Sequence, residues 1–231
     1  MNVLILNSEG QLNQMLEMNI MADFQAWLKA RNIRFGGSDA ACILGKNPWK
    51  TNVQLWEEKS GLRPHEDISE KPFVKYGNAA EDPLRQLFEL DFPGYEVKYK
   101  ANNIWINSEK PFAHASLDGW LIEKSTGRKG ILEIKTSNIL QSMQKEKWNN
   151  QIPDNYYCQV LHYLMVTGWD FVVLKAQLKS EFNGEIYLQT KHYTIERTEV
   201  EEDIKYLEDA EIRFWNSLKT GRKPSLILPE I

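Results

Sequence analysis

The stretch AHASLDGWLIEKSTGRKGILEIKTS, from Ala113 to Ser137, contains two strand-like segments joined by the polar turn KSTGRKG. Side chains of a β-strand alternate between the two faces of a sheet. In the second segment, Glu133 and Lys135 therefore share one face, and the apolar residues beside them occupy the other. If the segments pair through the turn, Asp118 approaches Glu133. The stretch thus predicts a hairpin that gathers two carboxylates and one ammonium group.

These side chains suit a hard divalent cation. Mg²⁺ prefers carboxylate, carbonyl and water oxygens as ligands, and Asp118, Glu133 and the backbone carbonyl of Ile134 could supply three of them. A bound Mg²⁺ lowers the pKa of a water ligand and polarises a phosphoryl oxygen. Lys135 could orient or deprotonate that water, or neutralise charge in the transition state. The chemistry indicated is phosphodiester hydrolysis, although Glu-x-Lys on an exposed strand face is also common without any catalytic role.

The rest of the chain predicts an α/β (α+β) domain with a mixed β-sheet flanked by helices. Helical patterns lie at Leu12–Ala30, FGGSDAACILG, NVQLWEEKSG, Phe73–Phe92, Asn155–Gly168 and Arg197–Leu218. Strand patterns lie at YEVKY, NIWIN, AHASLDGWLIE, GILEIKT, FVVLKAQLKS and EIYLQTKHYTI. Ser38 and Thr51 are expected to cap the second and third helices. No internal repeat and no marker of a second domain is visible.

The composition limits the class of protein. The chain has 231 residues, 42% apolar and 26% charged, which is typical of a globular domain. Its net charge of −4 excludes the basic proteins that coat nucleic acid, so any DNA contact must be local. No apolar run is long enough to span a membrane, and MNVLILNSEG lacks the basic flank of a signal peptide. Two cysteines, Cys42 and Cys158, cannot build a four-cysteine metal centre and favour a cytoplasmic location.

Four blocks of the sequence resemble a known nuclease family. SLDG followed by EIK resembles the PD-(D/E)xK nuclease motif, with Leu117 in place of the more usual proline. The blocks RNIRFGGSDAACILG, GNAAEDPLRQLFE, SLDG with EIK, and PDNYYCQVLHYLMVTG follow one another as in the phage λ exonuclease and YqaJ-type viral recombinase family. The resemblance extends from about Arg31 to Gly168. Because four blocks occur in the same order, it is more specific than any single motif.

The resemblance implies a PD-(D/E)xK core and a function in DNA recombination. It implies one exonuclease domain over residues 1–231, with a helical extension over 1–30 and the nuclease core over 31–220. Members of the family are Mg²⁺-dependent exonucleases that digest one strand of linear duplex DNA from its 5′ end. They leave a 3′ overhang for a single-strand annealing protein, and the λ enzyme is a ring-shaped homotrimer. We therefore expect two Mg²⁺ ions, replaceable by Mn²⁺, DNA ends as substrate, a trimer, and action in the cytoplasm of a bacterial host.

The resemblance also assigns the catalytic residues. Asp118, Glu133 and the carbonyl of Ile134 match metal ligands, and Lys135 matches the catalytic lysine. Glu81, in GNAAED, matches an acidic residue that the preceding helix brings to the metal. Without the resemblance, Glu81 would be interpreted as an exposed helical carboxylate.

The last block supplies a helix that closes the site in the family. Gln159 and Tyr156 match this helix, and their spacing of three residues places them on one helical face. His114 shares a strand face with Asp118, but such a histidine is more often a hydrogen-bonded structural residue.

A pocket for the 5′-phosphate is implied by Arg31, Ser38 and Ser116, which match phosphate-binding positions in the family. A helix start opened by two glycines offers N–H groups to an anion, and arginine binds phosphate through two parallel hydrogen bonds. Arg34 is a rival for the role of Arg31 because both precede the glycines. Asp39, in the first turn, would repel a phosphate if its side chain pointed inward.

Two other functions are compatible with these residues. A restriction-type endonuclease of the same fold would cut covalently closed circular DNA, whereas an exonuclease would not. A non-catalytic DNA-binding protein would keep the fold and lose hydrolysis, but the presence of Asp118, Glu133 and Lys135 argues against it.

Overall fold

The computed structural model describes residues 2–6 and 12–228, with side chains from residue 16 onward. In these residues the strands are β1 (Asn2–Leu6), β2 (Leu12–Ile20), β3 (Tyr95–Lys98), β4 (Asn103–Asn107), β5 (Gly119–Glu123), β6 (Lys129–Asn138), β7 (Phe171–Phe182) and β8 (Glu185–Glu196). The helices are α1 (Phe24–Asn32), α2 (Gly37–Ile43), α3 (Asn52–Lys59), α4 (Pro72–Asp91), α5 (Ser142–Glu146), α6 (Asp154–Thr167) and α7 (Glu201–Lys219), with a 3₁₀ turn at Arg197–Glu199.

The predicted mixed sheet flanked by helices is confirmed. A five-stranded sheet has the order β3-β5-β6-β7-β8. The β6–β7 pair is parallel, and the other pairs are antiparallel. A second, antiparallel sheet has the order β1-β2-β4. The NIWIN segment is therefore a strand, β4, as expected, but it belongs to the smaller sheet.

Helices cover both faces of the larger sheet, so β6 is buried from both sides. Leu132 and Ile134 pack in one apolar cluster with Leu84 and Phe88 of α4. Ile131 packs on the other face, in the main core with the apolar side of α6. The face that carries Glu133 and Lys135 thus lies under α6, in the interior of the protein.

No helix in the described residues is long and apolar enough to cross a membrane.

A buried ion pair joins α6 to α7, which packs on its outer side. His162 and Glu211 have fully buried side chains, and Nδ1 of His162 lies 2.7 Å from Oε1 of Glu211. Nε2 of His162 lies 2.9 Å from the carbonyl oxygen of His114, to which it must donate. Burial alone would lower the pKa of His162, but the charge of Glu211 outweighs burial and raises it. The pair therefore stabilises both the helix packing and the segment before Asp118.

The expected helix from Leu12 to Ala30 is wrong over its first half. Residues 12–20 form β2, which pairs with β4, and α1 begins only at Phe24. Asp23 caps α1 by accepting the N–H of Ala26 at 2.8 Å. Apolar spacing in a short segment does not distinguish a helix from a strand, and here backbone pairing with a distant strand decides the structure. The proposed helical extension over residues 1–30 is corrected for these residues.

The segment AHASLDGWLIE is also shorter as a strand than expected. Regular pairing begins at Gly119, while Ala113 and Ala115 form isolated bridges. The side-chain amide of Asn103 bonds the N–H and the carbonyl of Leu117 at 2.9 Å each. A buried amide thus replaces a strand partner there, and Asp118 lies at the point where β5 begins.

Candidate active site

The β5–β6 hairpin brings the two predicted carboxylates together. Gly119 pairs with Leu132, so Asp118 stands opposite Glu133 in the register. Oδ2 of Asp118 accepts the backbone N–H of Ile134 at 2.9 Å. The register thus places Asp118 beside Glu133, as the predicted hairpin requires, and the hydrogen bond ties the Asp118 side chain to β6.

Glu133 is the most buried member of the group, with 1% of its surface exposed. Its Oε1 lies 2.5 Å from Nζ of Lys135 and accepts a hydrogen bond from Nε2 of Gln159 at 2.8 Å. Its Oε2 is buried and has no partner within the described part of the chain. Burial, followed by the charge of Asp118, raises the pKa of Glu133 to about 8.

Glu81 belongs to the same electrostatic group. It lies on α4, is partly buried, and has its pKa raised to about 7 by burial and by the charge of Asp118. Burial also raises the pKa of Asp118, although the charges of Lys135 and Arg85 act in the opposite direction. The charge of Asp118 raises the pKa of both Glu81 and Glu133, so an added cation would be stabilising among these three carboxylates.

The carboxylates do not yet converge on one point. In the described residues, no three His, Cys, Asp or Glu side chains are arranged to hold a metal ion. Instead, Lys135 supplies the positive charge next to Glu133. Burial alone would lower the pKa of Lys135, but Glu133 and Asp118 outweigh burial and raise it. The oxygen donors and the unpartnered Oε2 fit a metal such as Mg²⁺ chemically, and binding would require the side chains to reorient.

Helix α6 lies against Glu133 and Lys135 and adds a residue that the sequence did not indicate. Gln159 donates to Glu133, and the ring centroid of Tyr156 lies 5.3 Å from Nζ of Lys135. Tyr163 is the additional residue: its Oη lies 2.8 Å from Nε2 of Gln159. Burial and the charge of Glu133 raise the pKa of its hydroxyl. Its position four residues after Gln159, on the same helical face, was the available signal.

Gly37, the first residue of α2, allows a close approach of α2 to α6. A Cβ atom on Gly37 would lie 2.6 Å from Cγ of Gln159 and 2.8 Å from a ring carbon of Tyr163. Only glycine fits there without displacing a side chain. Gly37 therefore leaves the space that Gln159 occupies while it donates to Glu133.

The expectation that Ser38 caps α2 is wrong. The N-cap residue is Gly36, and Ser38 lies exposed within the first turn. The carboxylate of Asp39 accepts the Gly36 N–H at 3.1 Å and pairs with Lys59 at 2.9 Å. Burial alone would raise the pKa of Asp39, but Lys59 and the Gly36 N–H outweigh burial and lower it. Asp39 thus already fills the start of this short helix, and α2 offers no anion site of its own.

The two candidate arginines differ in their surroundings. The guanidinium of Arg31 lies 4.2 Å from the ring centroid of Trp27, and its charge acts on Asp118. Nε of Arg34 donates to the carbonyl of Pro111 at 3.1 Å. Of these two candidates, Arg31 is therefore the one whose charge acts on Asp118.

Ser116 and His114 have buried polar atoms without partners. Oγ of Ser116 and both ring nitrogens of His114 lack a hydrogen bond within the described part of the chain. The expectation that the His114 ring is hydrogen-bonded is therefore wrong for the described part of the chain. Burial, followed by the charge of Arg31, lowers its pKa well below the usual value.

Comparison with known proteins identifies the family of the chain. Residues 26–170 match the family model of the YqaJ-like viral recombinase domain. The chain belongs to this family. A YqaJ relative, the uncharacterized protein YqaJ of Bacillus subtilis (strain 168), is 34% identical over 214 residues, which are 92% of this chain. The match spans 62% of the length of that relative.

Solved structures confirm the fold of this YqaJ-family chain. The alkaline exonuclease LHK-Exo from Laribacter hongkongensis matches with a TM-score of 0.65 and 18% identity, covering 86% of this chain and 94% of that one. A phage related exonuclease from Haemophilus somnus 129PT matches with a TM-score of 0.50 and 14% identity, covering 84% and 98%. This chain therefore shares its fold with these two exonucleases.

Proposed function

We propose that this chain is a Mg²⁺-dependent exonuclease that degrades one strand of linear duplex DNA from its 5′ end. The 3′ overhang would serve a single-strand annealing protein in phage or prophage recombination, in the cytoplasm of a bacterial host. The observation that carries the proposal is the buried Glu133 with one unpartnered oxygen, beside Asp118 and Lys135. The LHK-Exo protein has also been solved in complex with dAMP, a nucleotide of the kind that DNA hydrolysis releases.

The metal would be held by Asp118, Glu133, Glu81 and the backbone carbonyl of Ile134. Two Mg²⁺ ions are proposed, with Mn²⁺ as a substitute. When bound, such ions lower the pKa of water and neutralise charge on a phosphoryl group. The donor set supports this choice because hard cations select oxygen ligands.

The remaining side chains would act on the DNA and on the carboxylates. The ammonium of Lys135 would neutralise charge on the scissile phosphate, with the ring of Tyr156 shielding it from water. Gln159 would hold Glu133 through its present hydrogen bond. Arg31 and Ser116, with Ser38 and the alternative Arg34, would bind the 5′-phosphate.

The decisive experiment is digestion of end-labelled linear duplex DNA with and without Mg²⁺. We expect nucleotide release only with the metal. Glu133→Ala and Lys135→Ala should each lower the rate by about 10³-fold or more, because each removes stabilisation of the transition state. A Glu133→Ala protein with near-normal turnover would exclude this site.

Two controls separate the alternatives. Covalently closed circular DNA should stay intact, and cutting of it would favour the restriction-type endonuclease. Binding of DNA without hydrolysis under any metal condition would favour the non-catalytic protein.

A further inference from the structure

Arg85 is a buried arginine one helical turn after Glu81 on α4, and 7% of its surface is exposed. Its Nη1 donates to the backbone carbonyl of Asp118 at 2.6 Å, and its Nη2 donates to Asp82 at 2.7 Å. A Cβ on Gly119 would lie 3.5 Å from Cδ of Arg85. The side chain therefore lies against the backbone at the start of β5, beside Asp118.

Tyr99 covers the guanidinium from one side. The Cζ atom of Arg85 lies 3.7 Å from the centroid of the Tyr99 ring, which is partly exposed. The guanidinium thus forms two hydrogen bonds through its edge while one face rests on an aromatic ring. A lysine ammonium cannot reproduce a planar fork that bonds two acceptors and stacks at the same time.

Two hydrogen bonds hold Asp118, one from β6 and one from α4. Its carboxylate accepts from β6 through the N–H of Ile134, and its carbonyl accepts from α4 through Arg85. Arg85 also shares α4 with Glu81, four residues earlier. One side chain therefore fixes the separation between the helix that carries Glu81 and the strand end that carries Asp118.

We infer that Arg85 is a positioning residue for the metal-binding carboxylates: it holds the Asp118 backbone to α4, and Tyr99 holds the guanidinium in place. This inference rests on the proposed metal-dependent function. Arg85 touches neither DNA nor the metal in this scheme. Its effect is to keep Asp118 oriented toward Glu133 and near Glu81 before a cation binds.

The test is the affinity of DNA-free protein for Mn²⁺, measured by isothermal titration calorimetry on Arg85→Lys and wild type. We expect about tenfold or greater weakening in Arg85→Lys, because residues that orient metal ligands typically have effects of this size. The Mg²⁺ concentration for half-maximal rate should rise by a similar factor, while KM for duplex DNA stays unchanged. Urea unfolding is measured in parallel to confirm that each variant is folded.

Matched variants make the test specific. Arg128→Lys is the control, since Arg128 also pairs with carboxylates and lies 5.1 Å from the ring centroid of Phe171, but at the turn before β6. It should bind Mn²⁺ as wild type does. Tyr99→Phe keeps the ring and should have no effect. Tyr99→Ala should weaken Mn²⁺ binding in the same direction as Arg85→Lys, and it tests the idea even if Arg85→Lys does not fold.

Two results would overturn the inference. One is wild-type Mn²⁺ affinity in folded Arg85→Lys or in Tyr99→Ala, and the other is a rise of the KM for DNA with unchanged metal affinity. If wild type itself neither binds Mn²⁺ nor hydrolyses DNA, the proposed function fails instead. The two failures are therefore distinguishable.

Discussion

At the scale of single residues, Glu133 has two unlike carboxylate oxygens. Oε1 is bonded by Lys135 and Gln159, while the buried Oε2 has no partner in the described structure. Burying an unpartnered carboxylate oxygen is costly. A fold that keeps such an oxygen gains from any cation that reaches it, which is the physical basis of the proposed metal site.

The first prediction concerns the DNA end. If Arg31 and Ser116 bind a terminal phosphate, a 5′-phosphorylated duplex should be cut faster than a 5′-hydroxyl duplex, because the phosphate positions the scissile bond. Arg31→Ala should lower the rate on phosphorylated ends and shrink this preference. The measurement is the initial rate on linear duplexes that differ only in the 5′ group.

Arg34→Ala is the control for Arg31. Its guanidinium bonds the carbonyl of Pro111, so the preference should remain. Loss of the preference in Arg34→Ala, with retention in Arg31→Ala, would show that the other arginine binds the phosphate. A wild type without any preference would exclude the pocket.

At the scale of elements, the site depends on how closely α2 and α6 approach the sheet. Gly37→Ala should place a methyl group against Gln159 and Tyr163. Overpacking of this kind costs about 1–3 kcal/mol of folding free energy. We expect hydrolysis to fall by about tenfold or more, because displacement of Gln159 removes a hydrogen bond on which the orientation of Glu133 depends.

The measurements for Gly37→Ala are urea unfolding and the initial rate of digestion. Gly94→Ala is the matched control, because a Cβ there meets nothing within 4 Å. A Gly37→Ala protein with wild-type rate and stability would contradict the close approach of α2 to α6.

The buried pair between α6 and α7 should make stability depend on pH. The folded-state pKa of His162 is raised, whereas the pKa of an unfolded histidine is about 6.5. The contribution of the pair is therefore complete below that value and is lost as the pH rises through the folded-state pKa. At pH 6, His162→Gln should lower the free energy of unfolding by roughly 3–5 kcal/mol, the usual cost of breaking a buried pair.

The check is a series of urea titrations between pH 6 and pH 9. The difference between His162→Gln and wild type should shrink as the pH rises. His65→Gln, at an exposed histidine, should show no such trend. A difference that grows with pH would contradict the assigned charge of His162.

At the scale of the whole molecule, the net negative charge of the chain disfavours binding to DNA, although the proposed function requires it. The net charge is −4, yet a resecting enzyme must stay on DNA through many cycles. A closed ring of subunits would encircle the DNA and keep it from dissociating, so that only the residues lining the ring need to be basic. We therefore predict a cyclic homo-oligomer, most simply a trimer as in the λ enzyme.

Light scattering coupled to size-exclusion chromatography checks this assembly. A mass of three chains is expected, both alone and with duplex DNA. A strict monomer under both conditions would exclude the ring.

The sequence by itself determined the central pair of the candidate site. Asp118 and Glu133 lie in one hairpin, and the two-residue period of strands places Glu133 and Lys135 on one face. Such relationships are local, so a pattern of alternating residues suffices to predict them. The order of helical and strand patterns likewise predicted the mixed sheet, and the order of the four blocks led to the correct family. Glu81 and Gln159 came only from that resemblance, because no local pattern distinguishes them from surface residues.

Which residues surround Asp118 and Glu133 was determined only by the tertiary structure. Arg85 reaches Asp118 only because α4 packs on the sheet, and Gly37 meets Gln159 and Tyr163 only because α2 packs against α6. The same holds for β2, where pairing with β4 overrode helical spacing, and for Asn103, whose amide bonds Leu117 in place of a strand partner before β5 begins. These contacts join residues far apart in sequence. Their distances depend on how whole elements pack, and no short-range pattern contains that information.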